Sequence, residues 1–415
     1  MSKKKIKITI FHCTLIYTGG GERIVLGQLE ELRKRGYETA CFVPVIDRDK
    51  CYPDIIDKYC VGSLLPQLPS WFPFRHAVLL VATSLLMPVL ALRFRDTDLF
   101  IGENQPGTWM AFVAAKVLGK PYLIYTCHPN KMLYPRRLSR EQIWQNERDF
   151  YWLSVLFEPF KPILRLLDRW SFTGSRFPVL TNGFFIGREF GRIYKTAWTA
   201  CPSGAPALPP RLIDKGKEKS GELILGDQKI SKPYLLFVGR HEVWKRLDLA
   251  VRVMAKIKVK VPRASLVIPG PYTSHTYDLI KLAEKLGVND RVLFIGEVDQ
   301  GELAELYRNA HQFIFPSVKE DFGIVILEAM GNGLPVVAWK AGGPTDMVAD
   351  GENGFLARPF EVDDFAAKAV KLLKNPRLRD KLGRKGWEKV RREFSWKKHA
   401  DILEKSIKEM LGQTV

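Results

Sequence analysis

Residues 319–335 read KEDFGIVILEAMGNGLP. Glu320 and Glu328 stand eight positions apart, on either side of an apolar run that follows Gly323. Carboxylates grip vicinal hydroxyls well, as acidic residues do for ribose. A glycine opening a helix frees backbone N–H groups that can face a phosphate. Together these features suit a ligand with hydroxyls at both ends and phosphate between them. The plainer account is a loop glutamate followed by one on the wet side of a helix. Two carboxylates sit poorly beside bare phosphate unless cations neutralise it, and VGRHEVWKRLD (238–248) supplies Arg240 and Lys245 just past a strand. The planar Arg fork and the Lys point charge together fit a diphosphate. Solvated surface charge explains that stretch equally well when it is taken alone.

Three shorter patterns stand nearby in kind. GGGER (19–23) follows a strand and opens a helix, where glycines let backbone approach an anion; a structural turn is the competing account. KAGGPTD (340–346) adds another glycine turn at a strand end. His128, in YTCHPN, ends a strand and is expected to face a cleft, against the alternative of a hydrogen-bonded structural histidine. DRD (47–49) and DTD (96–98) match an Asp-x-Asp pattern with the spacing to hold a divalent metal. One follows a strand and the other precedes one, so neither is expected to bind metal. The six cysteines show no CxxC spacing, which argues for reduced thiols in a cytoplasmic protein over a metal site.

A chain of 415 residues is too long for one ordinary core, and two domains are expected. Composition is ordinary for a globular protein, with 46% hydrophobic and 26% charged residues. The net charge of +19 points to an anionic partner. The excess is shared between both halves, which disfavours a nucleic-acid-binding tail. The opening, MSKKKIKITIFHC, reads as a first strand and not as a signal peptide. The longest apolar run, AVLLVATSLLMPVLAL (77–92), would span about 24 Å as a helix. That is short of a hydrocarbon core of ~30 Å, and Pro88 is expected to kink it, so no membrane span is expected.

Strands, glycine turns and helices alternate along the chain. IKITIFHC, ETACFVP, DLFIGE and PYLIYTCH are strands; 76–94 and GTWMAFVAAKVLGK are helices. Ile24, Val25, Leu29 and Leu32 fall at helical spacing before a stop at Gly36. Residues 131–195 are basic, aromatic and mostly helical. A second run of strands (YLLFVG, ASLVIPG, VLFIGEV, HQFIFP, LPVVAW) alternates with helices near 246–259, 275–286, 301–310, 323–331 and 361–373. The pattern predicts two doubly wound α/β domains with parallel sheets facing one interdomain cleft. The expected division is 1–205, a linker at 206–232 rich in proline, glycine and lysine, 233–393, and a basic amphipathic helix at 394–415 that crosses back to the first domain.

With GGGER, VGRHEVWK, EDFGIVILE and AGGPTD in this order, the chain resembles the retaining glycosyltransferases of family GT4, which have the GT-B fold. GGGER and CHPN, with the helical insert after them, are similar to the mannosyltransferases that build the lipid-linked precursor of N-glycans. The resemblance implies a hexosyltransferase. Arg240 and Lys245 would bind the donor diphosphate, Glu328 the ribose and Glu320 the sugar hydroxyls. Backbone around Phe322, Gly323, Ile324 and Val325 would cradle phosphate and sugar. Gly20 and Gly21 would approach the diphosphate from the first domain, Val298 would lie near the base, and His128 near the transferred sugar. His128, Arg240, Lys245 and Glu320 are the implied catalytic set.

The implied donor is GDP-mannose, with a UDP-sugar as the alternative, and no metal or other cofactor is expected. The implied acceptor is a lipid-linked sugar. SWFPFRHAVLL (70–80) and FYWLSVLFEPFKPILRLLDRW (150–170) combine aromatic, apolar and basic residues as interfacial helices do, so peripheral contact with an anionic membrane on its cytoplasmic face is expected. Core packing is the competing account of both stretches. A sugar-nucleotide epimerase of the same fold and a nucleic-acid-binding module are the other function classes. The first has no need of a hydrophobic acceptor surface, and no recognised motif supports the second.

Overall fold

The computed structural model describes residues 5–134, 158–208, 221–226, 228–318 and 320–413. Two compact units divide the chain: Met1–Gly204 with Trp396–Val415, and Ala205–Ser395.

The first unit opens with β1 (Lys7–Phe11), α1 (Gly20–Lys34), β2 (Glu38–Val43), α2 (Pro53–Ile56), β3 (Cys60–Ser63) and α3 (Arg75–Leu90). It continues with β4 (Leu99–Glu103), α4 (Asn104–Leu118), β5 (Tyr122–Thr126), α5 (Lys161–Thr173), β6 (Val179–Thr181), α6 (Phe184–Tyr194) and β7 (Trp198–Ala200). The seven strands form one parallel sheet in the order β3-β2-β1-β4-β5-β6-β7. Every residue of β4 and β5 is buried, as a strand covered on both faces requires. α1 buries Ile24, Val25, Leu29 and Leu32, and the chain turns away at Gly36 with φ +90°. Of the sequence-predicted helical stretch 131–195, residues 135–157 lie outside the described residues.

The second unit holds an antiparallel pair, β8 (Glu222–Leu225) and β9 (Gln228–Ser231), and then β10 (Tyr234–Leu236), α7 (Leu247–Lys260), β11 (Ser265–Pro269), α8 (Ser274–Lys285), β12 (Val292–Gly296) and α9 (Gln300–Asn309). After these come β13 (Gln312–Phe315), α10 (Ile324–Gly331), β14 (Val336–Trp339), α11 (Pro344–Met347), β15 (Gly354–Ala357), α12 (Val362–Lys374) and α13 (Pro376–Glu393). Six strands form a parallel sheet in the order β12-β11-β10-β13-β14-β15. The last helix, α14 (Trp396–Met410), belongs to the first unit. There Arg35 on α1 bonds Asp401 at 2.7 Å and Glu404 at 2.5 Å. Gly27 lies against the Trp396 ring, where a Cβ would come within 2.5 Å of it.

One expectation is corrected. The stretch 206–232 is not a plain linker. Leu208 is pinned to the second unit by its N–H to the Gly331 carbonyl and by the Trp387 indole on its own carbonyl. Glu222–Leu225 and Gln228–Ser231 form the β8–β9 pair, with Ile230 fully buried. The two strands are short and stand among lysines and glycines that read as linker. The long apolar helix expected over 76–94 is present. The chain stays helical from Arg75 through a 3-10 turn to Phe94, twenty residues that are long and apolar enough to cross a membrane by length and composition, with 28% of the most apolar window buried.

Pro88 stands inside α3. Proline withholds the N–H that would bond the Ser84 carbonyl one turn back. The indole of Trp109, on α4, donates to that carbonyl at 3.2 Å and supplies the missing bond. Trp109→Phe should lower stability by about 1 kcal/mol. Pro88→Ala should restore it in that background, because the helix then makes its own bond. Urea denaturation of the four proteins checks this; no coupling between the two substitutions would refute it.

Candidate functional site

A parallel sheet leaves a crevice at the carboxyl ends of its strands where the strand order reverses. In the second unit that place is between β10 and β13. The loop after β10 carries Arg240 and Lys245, and the loop after β13 carries Glu320. The side chains meet there: Lys245 Nζ donates to Glu320 Oε2 at 2.8 Å, and both groups are about one-fifth exposed. Ser317 Oγ donates to the Trp244 carbonyl at 3.2 Å and ties the same two loops.

The Arg240 loop is anchored from below. His241 is fully buried, with Nδ1 3.0 Å from Thr276 Oγ1 at the start of α8. Thr273 Oγ1 donates to the His241 carbonyl at 2.6 Å. Burial, aided by His275, pushes the His241 pKa down to about 4, so the ring is a neutral spacer and leaves the cationic role to its neighbours. Arg240 itself is half-exposed, with Nη1 3.8 Å from Glu242 Oε1.

Gly323 precedes α10 at φ +92°, a conformation open to glycine and strained for other residues. Ile324 and Val325 are the first helical residues, so their N–H groups have no partner within the helix. Phe322 is buried against Phe394 and fixes the loop from beneath. Glu328 stands one turn inside α10, partly buried, and accepts from the Tyr307 hydroxyl at 3.0 Å. It is a held carboxylate and not the wet side of a helix. Val298 follows the edge strand β12, two strands from the reversal.

The AGG turn buttresses this loop. Gly343 N–H donates to the Glu320 carbonyl at 2.8 Å. Gly342 has φ +67°, and a Cβ there would lie 2.6 Å from the Glu320 carbonyl oxygen.

Gly20, Gly21 and His128 belong to the first unit. Gly19 is the N-cap of α1, and Gly20 and Gly21 are its first two residues, so the three glycines open a helix instead of forming a free loop. His128 follows β5, with Nδ1 3.0 Å from the Pro129 carbonyl. Asn104 has φ +51° and accepts the Cys127 N–H at 2.9 Å, which links the end of β5 to the start of α4. The two Asp-x-Asp stretches have structural work: Asp98 accepts the Lys7 N–H at 2.8 Å and Asp47 the Lys50 N–H at 3.2 Å.

Sequence reasoning missed Tyr307, which had no local signal because it lies 21 positions from its partner Glu328. It also missed a buried pair in the first unit, His12 and Glu103, whose Nδ1–Oε2 distance is 3.0 Å. Two titratable residues ending otherwise apolar strands were the available sign.

The family model described as "Glycosyl transferases group 1" matches residues 226–389, the span that contains Arg240, Lys245, Val298, Glu320 and Glu328. The chain is 24% identical to the alpha-1,3/1,6-mannosyltransferase ALG2 of Dictyostelium discoideum over 98% of its own length and 99% of that protein. The matched span is that of a group 1 glycosyltransferase, and the chain resembles the GT4-type glycosyltransferases. It is also 36% identical to D-inositol 3-phosphate glycosyltransferase 2 of Catenulispora acidiphila. That match covers 60% of this chain and 61% of the relative. The fold of the family is GT-B, and the sucrose-phosphate synthase of Thermosynechococcus elongatus superposes with a TM-score of 0.76 at 19% identity, over 98% of this chain and all of that one.

The buttress gives a test of the loop geometry. Gly342→Ala should cost about 2 kcal/mol or more, because left-handed strain adds to the clash with Glu320. Gly287→Ala, at φ +65° but in open space, should cost about 1 kcal/mol. Equal losses in thermal melts would show that the Gly342 approach to Glu320 is not what requires glycine.

Proposed function

We propose that this chain is a retaining hexosyltransferase that moves mannose from GDP-mannose to a lipid-linked glycan, forming an α-linkage without a metal. The observation that carries the reading is the Lys245–Glu320 contact across the β10/β13 reversal, which puts a cation and a hydroxyl-binding carboxylate at one point. The likeness to a mannosyltransferase over nearly the whole chain supports the choice of sugar.

In this reading Arg240 and Lys245 hold the diphosphate and offset the charge that grows on it as the sugar departs. The N–H groups of Gly323, Ile324 and Val325, with the backbone of Phe322, cradle phosphate and sugar. Glu320 accepts from the sugar hydroxyls and Glu328, held by Tyr307, from the ribose. Val298 lies near the base. Gly20 and Gly21 approach the diphosphate, and His128 the transferred sugar. Neither glutamate serves as a glycosidase-type nucleophile, because both are occupied with the donor. The bond from C1 to the phosphate oxygen breaks, the acceptor oxygen attacks C1 from the same face, and its proton passes to the departing phosphate.

Calorimetric titration with GDP and with UDP, in EDTA, tests the donor. GDP should bind, and Glu328→Ala should weaken it by tenfold or more, about 1.4 kcal/mol. Preference for UDP would keep the fold and discard mannose; binding of neither would sink the donor reading. Turnover should survive EDTA and give the α-anomer by NMR, and an inverted product would overturn the retaining mechanism.

The acceptor reading brings a membrane surface with it. α3 exposes Val78, Val81, Leu85 and Val89 along one side, while Leu79, Thr83 and Met87 are buried on the other. Trp71 and Phe74 precede it, 78% and 69% exposed. α5 exposes Ile163, Leu166 and Trp170, with Arg165 and Arg169 on the same helix. Both helices pack against α4. Apolar stripes beside basic residues on a chain of charge +19 suit the cytoplasmic face of an anionic bilayer, with the helices lying on it. The protein should float with phosphatidylserine vesicles and come off in high salt. No flotation at low salt would remove the membrane from the proposal, and retention through salt and alkaline washes would mean that α3 spans the bilayer.

A further inference from the structure

The first unit has its own strand-order reversal, between β1 and β4. His12 follows β1, and Glu103 ends β4. Their side chains meet across the reversal at 3.0 Å, each 1% exposed. The two chains are brought this close by Gly107 in the first turn of α4, where a Cβ would lie 2.4 Å from the Phe11 carbonyl and 3.1 Å from the His12 Cα.

Such a pair is expensive. Two ionisable groups removed from water at a place where aliphatic residues would pack are a poor route to stability. The site is also incompletely satisfied. Glu103 Oε1 makes no well-formed hydrogen bond, and Gln28, fully buried on α1, faces Glu103 closely enough to interact with it but not in good hydrogen-bond geometry. A buried, partly satisfied polar cluster at the carboxyl ends of a parallel sheet is where function outweighs packing.

The opposite edge of the His12 ring shows what the pair faces. It points to Gly21, the second residue of α1. A Cβ built on Gly21 would sit 4.0 Å from His12 Nε2 and 3.9 Å from Cε1, which is ordinary contact. Gly21 is not forced by a left-handed backbone either. Neither sterics nor conformation demands glycine there, so the bare backbone is left for something that comes close from outside. The first N–H groups of α1 stand at the same place.

We propose that His12 and Glu103 form a positioning pair that turns the positive end of a buried imidazolium–carboxylate dipole toward the opening turn of α1, where it helps to seat a substrate diphosphate. The inference rests on the glycosyltransferase reading above. It adds a part that the sugar-binding residues do not supply. Glu103 orients the ring through Nδ1 and keeps it charged; His12 carries the proton beneath Gly20 and Gly21. Neither residue touches substrate. The diphosphate belongs either to the nucleotide donor or to the lipid carrier of the acceptor.

The charge state agrees with the geometry. Burial disfavours a charge on His12, but Cys13, with Sγ 3.5 Å from Nε2, and the Glu103 carboxylate hold the ring well above the ordinary histidine pKa. Burial pushes Glu103 up, while His12 and Gln28 pull it back. Glu103 Oε2 faces Nδ1 and Cys13 Sγ faces Nε2, so a charged ring has a group to donate to at each nitrogen. The other titratable groups that face the pair are Cys41, Cys201 and Tyr125, all pushed up by burial and therefore neutral.

The test uses the full chain carrying Cys13→Ser, so that the thiol does not titrate, with and without Glu103→Gln. Glu103→Gln keeps the shape and removes the charge; His12→Asn is the second variant, and melting curves report folding. Binding of GDP, or UDP if that is preferred, is compared with binding of the matching nucleoside, and Michaelis constants are taken for donor and lipid diphosphate-linked acceptor. Failure of the parent to bind any nucleoside diphosphate would fall on the glycosyltransferase reading and would be visible before a variant is made.

Glu103→Gln should weaken diphosphate binding three- to tenfold and leave the nucleoside unchanged. A rise confined to the acceptor Michaelis constant would assign the pair to the lipid carrier instead. In the parent, where Glu103 alone remains to hold the ring charged, affinity should be full at low pH and fall as pH rises through the His12 pKa; in Glu103→Gln that fall should move to lower pH. Equal loss for nucleoside and diphosphate, no loss in either substrate, or an unmoved pH profile would overturn the proposal and leave His12 and Glu103 as structural groups.

Discussion

The contact between Lys245 and Glu320 exists because a parallel sheet reverses its strand order once. β10 sends its chain to one side and β13 to the other, and the space between the departing loops is the one place at that end of the sheet that no crossover helix covers. The loops reach into it from both sides and meet at 2.8 Å. Everything near them serves to fix that meeting: His241 under the Arg240 loop, Phe322 under the Glu320 loop, and the AGG turn against the Glu320 backbone. A lysine and a glutamate held together and only partly covered keep each other oriented without a ligand, so less reorganisation remains when one arrives.

Close backbone approach is the second constraint, and it is carried by glycines at particular places. Gly107 lets α4 touch the end of β1, and Gly342 lets the turn after β14 reach the Glu320 carbonyl. At Gly270 a Cβ would lie 2.1 Å from the Gly239 carbonyl oxygen, so the chains leaving β10 and β11 are in contact just before Arg240. In each case a side chain would separate two strand ends whose loops carry functional groups. Gly21 differs: a Cβ there would make only ordinary contact with the His12 ring.

The first unit spends apolar surface differently from the second. Its α3 and α5 leave valines, leucines, an isoleucine and a tryptophan in the open, whereas α10 in the second unit buries most of its length. Trp109 shows that the exposed helix is nonetheless firmly seated, since it replaces the hydrogen bond that Pro88 removes. A rigid apolar ridge set beside a doubly wound sheet is suited to carrying a water-insoluble substrate's support without giving up the sheet.

The sequence by itself determined the alternation of strands and helices, the two parallel sheets, and the loops on which Arg240, Lys245, Glu320 and Glu328 stand. These are local properties: apolar periodicity, glycine stops and charge placed just beyond a strand are written within a few residues of one another. It did not disclose the β8–β9 pair, because each strand is only four residues long and is set among turn-forming and charged residues. What only the tertiary structure decided is which distant groups touch. Lys245 with Glu320, Tyr307 with Glu328, and His12 with Glu103 are joined across 75, 21 and 91 positions. Strand order and register bring them together, and neither is encoded in the spacing of the residues that it pairs.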